Sequence, residues 1–262
     1  LNRGFDWAVK TRSPKGKTRY FYPDFWTVPE MPVKDGTHIS DFVTDQAIGF
    51  LERNADRPFF LYLPYFSVHG PWEAKEDTIE KYRKKPKVKE SDDPVFAAMH
   101  EEIDTCIARL LKKLKELGLE ENTVVFFTSD NGANEFHDND PLRRGKAWVY
   151  EGGIRVPFFV RWPGVITPGS VCSQAVSGVD IFPTFCAIGR ATPPAGQRPD
   201  GLSLAPILAS RGKAQMPERP LFWHYPFYSH YREEKNDFWH TPMSAVRIGD
   251  WNFETGGFLG AP

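Results

Sequence analysis

The run Thr123-Val-Val-Phe-Phe127, followed closely by Asp130, Asn131 and Gly132, constrains this chain more than any other stretch. Consecutive β-branched and aromatic residues describe a short strand buried on both faces, as in sheets covered by helices. A carboxylate and a carboxamide then follow the strand's end. In open α/β sheets, functional groups gather just outside the carboxyl ends of strands. An Asp-Asn-Gly string is also a frequent turn, so this stretch alone leaves both readings open.

The neighbouring patterns alternate. Ile39, Phe42, Val43, Ala47, Phe50 and Leu51 recur at helical spacing, with Thr37 or Ser40 as the expected N-cap. Pro58-Phe-Phe-Leu-Tyr-Leu-Pro64 reads as another buried strand. Met99, Ile103, Cys106, Ile107, Leu110, Leu114 and Leu117 form the stripe of a long amphipathic helix stopped by Gly118. Val156 to Trp162 predicts a third strand, with Pro157 near its start where a missing amide is tolerated. Ile181-Phe-Pro-Thr-Phe185 opens a further helix, and Ala191 to Gly201 reads as a linker. Beyond it, Leu221–Tyr225, Ser244–Ile248 and the Trp251 region predict short strands of a different, antiparallel unit. Residues 1–36 show no period and read as irregular. Helices alternating with apolar strands, then a strand-rich tail, predict an α/β domain with a smaller α+β appendage.

Composition excludes some functions. A formal charge of -1 offers no basic excess to neutralise a phosphate backbone, which argues against an obligate nucleic-acid binder. No apolar run approaches the roughly 20 residues that span a bilayer. The opening Leu1-Asn-Arg-Gly lacks both an initiator Met and signal-peptide character, and reads as the interior of a longer protein. Cys106, Cys172 and Cys186 lack the spacing of a zinc site or disulfide framework, and Cys106 and Cys186 read as structural core thiols. The basic run at 81–90, KYRKKPKVKE, is either a solvated surface or a patch attracting anionic polymers.

Two more chemical groups fall near expected strand ends. His69, in Ser67-Val-His-Gly-Pro-Trp72, follows the strand at 58–64, and Lys146 precedes the strand at 156–162. Asp130 and Asn131 offer only oxygens, which suits a hard cation such as calcium or magnesium. A hard cation, an ammonium and an imidazole describe a site that transfers an oxyanion.

The strings TVVFFTSDNG, RRGKAWVYEGGIRVPFFVRWPG, PFFLYLPYFSVHGPW and SGVDIFPTF resemble, in order, the later part of a type I sulfatase of the alkaline-phosphatase superfamily. The resemblance implies an α/β/α sandwich with a mostly parallel central sheet, plus the start of a smaller C-terminal antiparallel α+β unit. Residues 1–205 would belong to the catalytic domain and 206–262 to the smaller subdomain. By similarity, Asp130 and Asn131 would coordinate Ca2+, with Mg2+ as the alternative. Lys146 would bind a sulfate oxygen and the leaving ester oxygen, and His69 would hydrogen-bond that ester oxygen as general acid, or share that role with Lys146. His224, in the aromatic stretch Trp223 to Tyr228, would contact the group bearing the sulfate.

The departures matter as much. Such enzymes use a formylglycine made within Cys/Ser-x-Pro/Ala-x-Arg, and no such motif occurs here. The nearest string, Cys186-Ala-Ile-Gly-Arg190, has Ile188 at the required Pro/Ala position. The nucleophile is therefore expected in a missing N-terminal part, and this chain alone is expected to be inactive. The implied partner is an aryl sulfate or sulfated glycan, with neither nucleic acid nor membrane, in a periplasmic or secreted setting. Oligomeric state is left open. Two rivals stand beside this reading, a phosphate ester or phosphonate hydrolase of the same superfamily and a non-catalytic binder of sulfated glycans. Asn131 disfavours the first, because two-metal phosphatases typically place His beside the Asp. His38, His100 and His137 read as surface or local hydrogen-bonding groups.

Overall fold

The computed structural model describes residues 4–13, 19–87, 89, 92–133, 139–210, 213–227, 229–232, 237–240 and 242–256. His137 and the end of the basic run thus lie outside the described residues. Two compact units divide the chain, Leu1–Thr123 and Val124–Pro262.

In the first unit, β1 (Lys10–Arg12) pairs antiparallel with β2 (Trp26–Val28), a hairpin that the unperiodic sequence there did not predict. Helix α1 (Ile39–Arg53) buries Ile39, Phe42, Ala47 and Leu51, the expected stripe. Its N-cap is neither Thr37 nor Ser40 but His38, whose Nδ1 accepts the Ser40 amide at 3.3 Å. Helix α2 (Glu76–Arg83) follows, then α3 (Pro94–Glu116). Asp93 caps α3 by accepting from the Val95 and Phe96 amides, with Pro94 at its first position. Gly118 takes a φ of 69°, left-handed as a helix stop requires. Helices α1 and α3 pack together, with Cys106 buried at 1% exposure. Tyr20, Phe25, Phe42, Ala98 and Met99 lie at the centre of the core. Within the basic run, Arg83 pairs with Glu76 and Glu80, and Lys81 with Glu101, so two of its six cations are met by these carboxylates.

Pro58 to Pro64 does not form the expected strand. Phe60 and Tyr62 are 53% and 66% exposed, while Leu61 and Leu63 are half-buried. The alternation is that of an extended chain, but a strand buried on both faces needs ladder partners on its flanks. Among the described residues none pairs with it.

The second unit opens with β3 (Val125–Thr128). After α4 (Glu151–Ile154), β4 (Phe158–Arg161) returns and pairs antiparallel with it, Val125 opposite Arg161 and Thr128 opposite Phe158. Helices α5 (Ile181–Ile188) and α6 (Ala205–Ala209) precede β5 (Leu221–Tyr225), β6 (Ser229–Arg232), β7 (Asp237–His240), β8 (Met243–Ile248) and β9 (Trp251–Gly256). Strands β5, β8 and β9 form an antiparallel sheet in that order, as the tail predicts, and β6 pairs with β7. Every pairing among the described residues is antiparallel, so the parallel ladders expected of a central sheet are not formed between these strands. Cys186 is half-buried rather than buried.

Packing is continuous across positions 205 and 206. Buried Asp180 accepts from the Ser177 amide at 2.8 Å and the Leu202 amide at 2.9 Å, and pairs with Arg219. Trp148, Val149 and Tyr150 share a core cluster with Met243 and Ala245. These contacts tie the segment after the linker to the segment before it.

Candidate active site

Three of the expected groups are carried by one knot of backbone in the second unit. The turn after β3 exchanges main-chain hydrogen bonds with α4 and the loop before it, Gly132 N to Gly153 O at 2.9 Å and Lys146 N to Ala133 O at 2.7 Å. Gly152 N closes the loop on itself by donating to Arg143 O at 2.9 Å. The approach is close enough to demand glycine. A Cβ on Gly132 would overlap the Gly152 carbonyl, and one on Gly152 would overlap the Arg144 carbonyl. Asn139 completes the knot. Its Nδ2 donates to Arg144 O at 2.8 Å, with Ala133 O and Gly152 O each 3.4 Å away. Asp130, Asn131 and Lys146 are therefore neighbours by construction of the main chain.

Their side chains are left available. Asp130 is exposed and Lys146 half-buried, and among the described residues neither makes an ion pair with the other or with any third group. Asn131 donates Nδ2 to Gly132 O at 3.0 Å, which leaves its Oδ1 as a free acceptor. One charged and one neutral oxygen fit part of the shell of a hard cation, which takes six to eight such ligands. No group of three or more His, Cys, Asp or Glu gathers among the described residues, so these do not supply the remaining ligands.

His69 belongs to the first unit and sits on an exposed turn. Its Nδ1 lies 2.6 Å from the Gly70 carbonyl and must carry a proton to make that bond, which leaves Nε2 as the nitrogen available to a substrate. The turn is held from beneath. Tyr20 is fully buried and donates its hydroxyl to the His69 carbonyl, while its ring meets Phe66 edge-on at 5.9 Å. Burial drives the Tyr20 hydroxyl well above its usual range, so it stays a donor. The hydroxyls of Ser40 and Ser67 lie 3.2 Å apart, linking the start of α1 to the same turn.

Under Tyr20 lies a pair that the sequence did not reveal. His38 is 1% exposed rather than a surface group, stacks on the Tyr20 ring at 5.4 Å, and sets Nε2 3.1 Å from Glu102 Oε2. Accepting the Ser40 amide at Nδ1 requires that nitrogen to be bare, so neutral His38 carries its proton on Nε2, which faces Glu102 Oε2 without forming an aligned hydrogen bond. Burial lowers its pKa to about 4, consistent with this. Glu102 is held above the usual carboxylate range by burial, and its other oxygen accepts the Lys75 amide at 2.6 Å.

His224 is exposed, with Nδ1 2.8 Å from Ser244 Oγ across the β5–β8 pair. Side chains alternate faces along a strand, and Trp223 and Tyr225 are the β5 residues packed on Trp148 to Tyr150. His224 points to the opposite face, so the structure does not bring it to the Lys146 loop. His100 is exposed, with Nδ1 2.9 Å from the Phe96 carbonyl, as expected of a local group. Tyr20, 49 residues from His69, carried no sequence signal. Asn139 carried a faint one, a turn-forming residue near the closely spaced glycines.

Two family models match. One, described as Sulfatase, covers residues 2–189, and the other, N-sulphoglucosamine sulphohydrolase, C-terminal, covers residues 144–246. The chain belongs to the sulfatase family. A Formosa agariphila protein named Sulfatase is 34% identical over 243 residues, covering 78% of this chain and 43% of that one. Rat (Rattus norvegicus) steryl-sulfatase is 35% identical over 216 residues, covering 79% of this chain and 35% of the relative. This sulfatase chain thus spans less than half the length of these curated relatives. The crystal structure of Ps i-CgsB in complex with k-i-k-neocarrahexaose matches with a TM-score of 0.73 and 28% identity, over 87% of this chain and 48% of that one. The likeness assigns the α/β fold of the alkaline-phosphatase-like sulfatases, as the sequence motifs implied. No helix among the described residues of this sulfatase is long and apolar enough to cross a membrane.

Proposed function

We propose that the whole protein is a sulfuric ester hydrolase that removes sulfate from an aryl or carbohydrate sulfate ester. The observation that carries this reading is the glycine-tight knot holding Asp130 and Lys146 on adjoining loops with neither charge neutralised inside the described protein. Opposite charges fixed close together and left unpaired are arranged for a ligand.

Lys146 binds a non-bridging sulfate oxygen and faces the ester oxygen, offsetting the negative charge that grows there as the S–O bond breaks. His69, with Nδ1–H on the Gly70 carbonyl, presents Nε2. As the imidazolium it donates the Nε2 proton to the departing oxygen, so the leaving group departs neutral. Asp130 and Asn131 would hold part of the shell of Ca2+, or Mg2+ in its place, and such an ion would supply charge neutralisation for the sulfate oxygens. The nucleophile, a formylglycine by family resemblance, lies outside these residues, so this chain alone does not turn over. A periplasmic or secreted setting accords with the family.

Sulfate is preferred over phosphate because the chain matches the sulfatase model over 2–189 and because Asn131, not His, stands beside Asp130. The test uses the full-length protein with an aryl sulfate. Lys146→Ala and Asp130→Ala are each expected to lower kcat by about 10²–10³-fold, with circular dichroism unchanged. Near-normal turnover in either folded variant refutes the assignment. Faster hydrolysis of the matching phosphate ester by the parent protein would favour the phosphatase rival.

A further inference from the structure

The loop that carries Lys146 carries a second cation in an unusual backbone state. Arg144 has φ 60°, in the left-handed region that non-glycine residues occupy only at a cost in backbone strain. The conformation is imposed by the knot. The Arg144 carbonyl is fixed by Asn139 Nδ2 at 2.8 Å and packs on the Cα of Gly152. Glycine would meet these demands without strain, so the arginine side chain is maintained against the local backbone preference.

That side chain is exposed and seated on an aromatic floor. Its guanidinium carbon lies 4.5 Å from the ring centroid of Trp148, which is itself 4% exposed and packed in the cluster with Met243 and Ala245. Arg143 is seated likewise, 4.2 Å from the Tyr150 ring centroid, but the charge of Glu254 lies close enough to interact with it. Arg144 makes no ion pair with any described carboxylate. A guanidinium fixed against an aromatic ring keeps several N–H donors in its plane, the arrangement that grips a carboxylate or sulfate by two oxygens. It stands two residues from Lys146 on the same closed loop.

We propose that Arg144 is a specificity-determining residue that binds a second anionic group, a sulfate ester or carboxylate, borne by the same substrate molecule as the ester presented to Lys146. The proposal rests on the sulfatase reading above and narrows it, since the preferred substrate becomes a multiply anionic sugar rather than a singly charged aryl sulfate. Trp148 holds Arg144 at a fixed height, so the distance between the two anions is part of what is recognised.

The full-length protein tests this with three probes, a monosulfated aryl ester, a disulfated disaccharide, and a disaccharide carrying one sulfate and one carboxylate. Arg144→Gln is expected to lower the ratio of kcat/KM for the doubly anionic sugars over the aryl ester by about tenfold or more, chiefly through KM. Arg144→Gly gives the same loss of preference while the thermal midpoint stays level or rises, because left-handed strain is relieved. Equal loss on all three probes, or no change in the ratio, overturns the proposal. Loss confined to one of the two sugars identifies which anion is read. Titration calorimetry with the disulfated disaccharide separates the two levels of inference. Weaker binding in Arg144→Gln supports the subsite even where Lys146→Ala has disproved the hydrolase reading, and unaltered binding rejects the subsite even where hydrolysis is confirmed.

Discussion

The turn bearing His69 and the loop bearing Lys146 solve one problem by opposite means. His69 is steadied by side chains, through the Tyr20 hydroxyl on its carbonyl, the Ser40 and Ser67 hydroxyls at 3.2 Å, and the Phe66 ring 5.2 Å from its own. Lys146 is steadied by main chain meeting main chain, with glycines at the points of closest approach. A turn tied by several side chains weakens by degrees when one is lost. A backbone knot has no spare volume, so a single methyl disrupts all of it.

That contrast can be broken most severely at Gly132. Gly132→Ala would drive its Cβ into the Gly152 carbonyl and is expected to cost about 4 kcal/mol or more. Denaturant unfolding with probes in each unit should show the second unit failing while the first keeps its helices. An unaltered midpoint would mean that the knot yields.

Acid should act on the other side. His38 is neutral in the folded chain, with a pKa lowered to about 4 from the ordinary 6.5. The unfolded chain binds the proton first, so this contribution is intact above pH 6.5 and is lost as pH falls toward 4, up to about 3 kcal/mol. Glu102, raised by burial, takes up a proton in the folded state and offsets part of that loss at the acid end. Unfolding of the first unit measured at pH 7 and pH 4.5 should differ in the parent and much less in His38→Gln. Equal slopes would show that His38 does not control the response.

The mildest intervention is Tyr20→Phe, which removes one donor from the His69 carbonyl and keeps the ring. A loss of about 1 kcal/mol is expected by chemical denaturation. In the full-length protein kcat should fall with KM little changed, as for a displaced acid. If KM alone moves, the turn serves binding rather than proton transfer.

How much of this could be read from residues alone follows the same division. The helical stripe from Met99 to Leu117, the glycine stop and the existence of a strand at 125–128 were legible because they are local patterns of one element, but that strand is half-buried to exposed among the described residues rather than buried on both faces. Asp130, Asn131 and Lys146 stood out by residue type, and the backbone brings them onto one knot; the glycines at 132, 152 and 153 signal that close approach once the turn and loop are known to meet. The first unit was less transparent. His38 read as a surface or local hydrogen-bonding group, and the local bond to Ser40 is formed, but nothing in its neighbourhood announces Glu102, 64 positions on along the chain, and the Tyr20 support lies 49 positions from His69. The apolar run at 58–64 misled, because periodicity reports what a segment can bury, not whether a ladder partner lies beside it.

Because carbonyls and amides do the gripping around Lys146, the exchangeable atoms at 143 and 144 are spectators to that grip. Either side chain can therefore be exchanged without disturbing the backbone that fixes the Lys146 ammonium in place.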